Sequence, residues 1–354
     1  MFGELLASLT ALVTIGAAAP SEALKDPVRG LLDRNGPAPA AYAEVVDAFV
    51  VRVTWAQLQP TREAGTNHGG ALTTTAIDTA LASGRPVRLR VTAGIDAPGW
   101  AKTLGGNGAA LPWYTEPTGG PVGTIGAFWS PEFGQAYANL QERLAGLYDQ
   151  NSELLREVVV SRCTTEFAEP YIRQTGQLAR NRAALKAAGY TAAADEQCHR
   201  DEIAAHAVWT RTRSYLAFNP YQRITEAAGD APWTASVDPA FTRAMIDHCR
   251  TVLGARCVLG NNSLDPDRPA DYLSLYAYMA GKGGPIGFQT ATAAKICDQM
   301  SPCPPQKWND TLAMALNYGA GSVELPEAAT GYTSWPIEEF PPYHGLRYYD
   351  TALE

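Results

Sequence analysis

Short apolar runs alternate along the chain with longer stretches in which apolar residues recur every three or four positions. The first kind suits a buried strand, and the second suits a helix that packs one face. Seven runs read as strands: AFVVRVTW (48–55), PVRLRVTAG (86–94), REVVVSRCTTE (156–166), SYLAFNP (214–220), RCVLGNN (256–262), PIGFQTAT (285–292) and SVELPE (322–327). An eighth, PVRGLLD (27–33), precedes them and is followed by a helix expected across Ala40 to Val46. In PVRLRVTAG, Val87, Leu89 and Val91 alternate with Arg88 and Arg90, so the arginines face away from the valines.

Between the strands the period changes. TTTAIDTALASG places Ile77 and Leu81 one helical turn apart, with Gly84 as a stop and Pro86 beyond it. The next helix has Ser130 to cap it and Pro131 at its first position, and its apolar stripe runs Phe133, Tyr137, Leu140, Leu144, Leu147. A polar helical stretch reaches about Arg213. Asp238 and Pro239 then open a helix bearing Phe241, Met245, Cys249 and Val252. ADYLSLYAYMAGKGG and KWNDTLAMALNYGAG complete the set.

Strands alternating with helices imply a parallel sheet with crossovers. Eight such units over roughly 330 residues imply closure into a single (β/α)8 barrel of the TIM type. The rival doubly wound fold requires a glycine-rich phosphate turn between an early strand and its helix. The glycines at 105–108 and 119–123 lie in loops without that context. No linker splits the chain, so residues 24–354 form the expected barrel domain. Residues 1–23, an apolar run ending in small residues, read as a signal peptide or N-terminal segment, with a buried first helix as the alternative. The run is too short and too rich in Ala and Thr for a transmembrane span.

Composition narrows the function. The chain of 354 residues has 46% hydrophobic and 18% charged residues and a net charge of −8. It has no Lys/Arg cluster, which disfavours a nucleic-acid partner and leaves a neutral or weakly polar ligand as the expectation. Six cysteines fall into local pairs, Cys249 with Cys257 and Cys297 with Cys303, leaving Cys163 with Cys198. Such pairing points to disulfides, an oxidising compartment and a secreted protein. No CxxC or paired Cys/His spacing indicates zinc, the five histidines show no metal spacing, and no GxSxG elbow is present. No cofactor is implied.

In a barrel of this kind the chemistry sits where the strands end. Those ends supply Trp55, Trp100, Glu166, Glu169, Asn219, Asn262, Gln289, Glu324 and Glu327. Carboxylates for proton transfer, amides for hydroxyl groups and indoles for the apolar face of a pyranose suit a carbohydrate. VVRVTWAQLQPTREAG and PVRLRVTAGIDAPGW resemble the second and third strand units of the beta-galactosidase type of clan A glycoside hydrolases. That clan carries catalytic glutamates on strands four and seven. The likeness is clearest over Asp47 to Trp100.

The resemblance implies that Glu166 in SRCTTEFAEP is the acid/base, with Thr165 in place of the family's Asn. On strand seven it implies a nucleophilic glutamate where this chain has Gln289. Glu324 on SVELPE is then the expected second catalytic carboxylate, facing inward if Val323 and Leu325 face the helices. Its rival role is an ion pair with Arg52, Arg88 or Arg90, while Glu166 has a rival role beside Arg162 or Arg173. Glu169, before Pro170, reads as an exposed loop residue. Asn219, Asn262, Gln289, Trp55, Trp100 and Trp335 are the expected sugar contacts. The competing function is a carbohydrate-binding protein on a degenerate barrel.

Overall fold

A computed structural model describes residues 23–229 and 231–354. Eight parallel strands close into a barrel in chain order: β1 (Gly30–Asp33), β2 (Ala48–Thr54), β3 (Val87–Thr92), β4 (Leu155–Val159), β5 (Arg213–Ala217), β6 (Cys257–Leu264), β7 (Ile286–Thr290) and β8 (Ser322–Glu324). β8 pairs with β1, so the expected first strand is the one that completes closure. The expected signal segment lies outside the described residues, apart from Ala23.

The main helices are α1 (Thr75–Leu81), α2 (Pro131–Tyr148), α3 (Leu178–Ala187), α4 (Ala192–Ala205), α5 (Pro239–Leu253), α6 (Ala270–Gly281), α7 (Pro305–Asn317) and α8 (Leu346–Leu353). α2 starts as its residues dictate: Phe133 N donates to Ser130 Oγ at 3.2 Å, with Pro131 in the first turn. Phe133, Tyr137, Leu140 and Leu144 are buried, but the stripe continues at Tyr148, and Leu147 is 46% exposed. A step of four from Leu144 stays on the packed face where a step of three leaves it. The helix expected across Ala40 to Val46 is only a 3-10 turn at Ala40–Tyr42. The β-branched pair Val45 and Val46 is buried beyond that turn and favours extension over helix.

Two loops contain hairpins that the apolar pattern does not announce. Leu111–Trp113 pairs with Gly123–Ile125 after β3, and Tyr221–Thr225 pairs with Thr234–Asp238 after β5.

The barrel interior is unusually polar. Val87, Leu89 and Val91 pack outward in the helix-facing core, which turns Arg88 and Arg90 inward. Arg88 Nε donates to Glu157 Oε2 at 2.7 Å, and its guanidinium lies 4.1 Å from the centroid of the Tyr215 ring. Gly260 and Gly287 make the room. A Cβ on Gly260 would stand 2.4 Å from the Tyr215 ring, and one on Gly287 would stand 2.7 Å from Ser322 Oγ.

All three expected disulfides form: Cys163–Cys198, Cys249–Cys257 and Cys297–Cys303. They span 35, 8 and 6 residues of sequence. Because the loss of loop entropy grows with the logarithm of loop length, removing Cys163–Cys198 is expected to cost about 1.5 kcal/mol more than removing Cys297–Cys303. Denaturant unfolding of the two double-alanine variants measures that difference, and equal losses would contradict it. No helix among the described residues is long and apolar enough to cross a membrane.

Candidate active site

A cleft of about 360 Å³ opens where the barrel strands end, and Arg34, Arg52, Arg90, Asn262, Gln289 and Glu169 are among its walls. Glu169 stands on the loop after β4, the position where a barrel presents chemistry. Its Oε1 accepts a hydrogen bond from Asn219 Nδ2 at 2.7 Å. Asn219, fully buried beyond the end of β5, accepts from Asn261 Nδ2, and Asn261 Oδ1 accepts from the Tyr276 hydroxyl at 3.0 Å. That chain of amides and phenol fixes the carboxyl from behind. Burial pushes the Glu169 carboxyl above the usual range, against the opposing pull of Asn219, Arg90, Arg268 and Lys295. A carboxyl in a cleft whose environment favours its protonated form is suited to give up a proton.

Glu324 faces inward, as the alternation in SVELPE implies, but it is fully buried. Arg90 grips it with two hydrogen bonds of 3.0 and 2.6 Å. Arg34 Nε lies 3.3 Å from one of its oxygens and Arg88 Nη1 lies 3.7 Å from the other. Although burial opposes ionisation, these charges hold the carboxyl below its ordinary value. Both oxygens are taken up by guanidinium groups, so the ion-pair role describes its geometry and direct contact with a sugar does not. Gln289 lies beside Glu324 in strand register and lines the cleft.

Glu166 is not in the cleft wall. Its carboxylate accepts from Gln174 Nε2, and Gln174 Oε1 in turn accepts from Trp113 Nε1 at 2.9 Å and Thr165 Oγ1 at 3.1 Å. The backbone there is pinned by Gly94, whose φ of +58° and close approach to the Thr165 carbonyl leave no room for a Cβ. Burial also raises the Glu166 carboxyl. Neither expected arginine pairs with it: Arg173 binds Asp195 at 2.6 Å, and Arg162 lies 3.6 Å from Asp201.

The expected sugar contacts divide. Asn262 and Gln289 line the cleft, with Asn262 Oδ1 accepting from the Tyr215 hydroxyl at 2.9 Å. Asn219 touches Glu169 instead of the open space. Trp55 is fully buried among Trp100, Phe133 and Tyr137, and its Nε1 donates to Gln59. Trp335 is 1% exposed and stacks on Trp308 at 5.4 Å. Trp100, half-buried, donates to the Gln59 carbonyl and is not in the cleft wall. Trp55 and Trp335 have spent their faces on the core, and none of the three lines the cleft.

The sequence places Glu169 at the end of strand four but reads it as an exposed loop residue, and it does not single out Arg34, Arg268 or Lys295. Arg34 directly follows β1, and the strand-end set begins only at the second strand. Pro170 was the signal for Glu169: a residue before proline is held extended, and that rigidity can present a carboxyl as readily as it can end an element. Among the described residues, one group has metal-ligand spacing: Cys163, His199 and Glu202. The Cys163 sulfur is in a disulfide, and the His199 ring already meets Glu202 and Arg173 at 3.0 and 3.1 Å, so the group does not fit a metal.

No protein-family model matches the chain, and no curated protein matches it. Solved structures do. The catalytic domain of a beta-amylase from Paenibacillus polymyxa superposes with a TM-score of 0.51 at 11% identity, over 87% of this chain and 94% of that one. Endo-glycoceramidase II from Rhodococcus sp., captured as a lactosyl-enzyme intermediate, superposes with a TM-score of 0.51 at 13% identity, over 94% of this chain and 80% of that one. The likeness is one of fold. It matches the closed barrel over nearly its whole length.

Proposed function

We propose that the chain is a secreted glycoside hydrolase that uses Glu169 as its proton donor. The observation that carries the reading is the Glu169 carboxyl, raised by burial, anchored by Asn219 and facing a cleft at the strand ends. Two glycosidases with the same barrel support it, as do the three disulfides for an oxidising compartment. A closer tie to beta-galactosidases rests on the sequence likeness over Asp47 to Trp100.

In this mechanism Glu169 protonates the glycosidic oxygen as the bond from the anomeric carbon breaks. Gln289, in the strand-seven position, has an amide that cannot form the glycosyl ester of a retaining enzyme. Glu327, exposed on the loop after β8, is the other carboxylate in the cleft wall and accepts the proton of the attacking water. Inversion at the anomeric carbon is therefore expected. Proton NMR of the first-formed product checks it, and a product of retained configuration would rule out this water-attack course. Because the donor acts while protonated, kcat/KM should fall as pH rises through the raised Glu169 value.

Gln289 also favours a second reading, a protein that binds saccharide without cleaving it. Saccharide binding with no turnover would establish it.

A further inference from the structure

The charge of the cleft runs against that of the chain. The protein carries −8 overall, yet five cationic side chains line this one opening, Arg34, Arg52, Arg90, Arg268 and Lys295, against two carboxylates, Glu169 and Glu327. The expectation of a neutral ligand came from a sequence without a basic cluster. The five cations come from five separate segments, and only barrel closure brings them together.

Their hydrogen bonds show which of them are committed to the fold. Arg34 donates to the Thr290 carbonyl at 2.7 Å and lies against Glu324, and Arg90 spends both terminal nitrogens on Glu324. Arg52 has a long contact of 3.4 Å to Asp96. Arg268 is different. Its Nε donates to the Ser263 carbonyl at 2.6 Å and its guanidinium lies 5.4 Å from the Tyr272 ring centroid, which orients it. Among the described residues neither of its terminal nitrogens has a protein acceptor. Lys295 makes no side-chain hydrogen bond or ion pair among the described residues, and it is exposed. Both act electrostatically on Glu169, so their charges are near the proposed proton donor.

Free cationic donors beside a cleft carboxyl would waste their field on a neutral sugar, and they would hinder protonation of nothing but Glu169 itself. An anionic substituent on the ligand gives them a partner, and a guanidinium fork fits a carboxylate or sulfate ester with two parallel hydrogen bonds. Resting on the reading of this cleft as a saccharide site, we infer that its ligand is an acidic saccharide whose anionic group is held by Arg268 and Lys295.

Calorimetry on Glu169→Gln protein, in which turnover is slowed, tests this with four probes: tetragalacturonate, a chondroitin-type sulfated disaccharide, cellotetraose and maltotetraose. An acidic probe should bind at least about tenfold more tightly than the neutral ones, and its affinity should weaken as salt rises. In the Arg268→Gln/Lys295→Gln background that ratio should fall by about tenfold or more, with thermal melting unchanged and with Arg268→Lys/Lys295→Arg restoring part of it. The carboxylated and sulfated probes separate the two possible anions. If the neutral probes bind as well or better and the ratio ignores both substitutions, the acidic ligand is overturned while the saccharide site stands. If no saccharide binds, both readings fall together.

Discussion

Glu169→Gln is expected to lower kcat by about 10²- to 10⁴-fold, the usual contribution of a positioned general acid, while Glu166→Gln stays near wild type. The contrast follows from where the two carboxyls lie. Glu169 faces the cleft and is steered by the Asn219, Asn261 and Tyr276 chain, whereas Glu166 is held by Gln174 outside the cleft wall. Glutamine keeps the shape of the side chain and its hydrogen-bonding oxygen but has no proton to transfer, so binding should change far less than turnover. Initial rates on any cleaved glycoside read the effect. A substrate with a good leaving group should recover part of the loss, because it needs the acid least. Near-wild-type rates in Glu169→Gln with a collapse in Glu166→Gln would return the role to Glu166.

The second large effect is on stability. Glu324→Gln removes the fully buried counter-ion of Arg90 and Arg34, and breaking a buried pair from one side costs about 3–5 kcal/mol. That is a large share of the roughly 5–15 kcal/mol that holds a folded domain together. The Glu324 carboxyl lies below its ordinary 4.5 in the folded protein. Its contribution to stability is therefore fully present above that unfolded value and is lost as pH falls through the lowered folded one. Urea unfolding of wild type across that acid range should show the decline, and Glu324→Gln should flatten it. A variant that is inactive but as stable as wild type would instead make Glu324 a catalytic group.

The two glutamates show what the sequence makes legible. The direction of Glu324 followed from strand alternation alone, as did the inward turn of Arg88 and Arg90. That Arg34, Arg88 and Arg90 converge on one carboxylate depends on barrel register, which no local pattern contains. The fold class was readable because each strand and helix announces its own period, and α2 announces even its cap. The hairpins at 111–125 and 221–238 were not readable, because their short strands carry no sustained alternation. The burial of Trp55 and Trp335 was hidden for a related reason. An indole at a strand end looks the same in sequence whether its face meets a ligand or, as with Trp55 and Trp335, the core. The positive cleft was invisible because charge density there is a property of closure.

The most direct test of the account is whether the wild-type protein releases new reducing ends from saccharides, measured by chromatography over a panel that sets acidic oligosaccharides beside neutral ones. Cleavage of at least one member, with an acidic one preferred, is the predicted result. A panel in which a saccharide binds by calorimetry but none is cleaved would contradict it and leave a carbohydrate-binding protein on a (β/α)8 barrel.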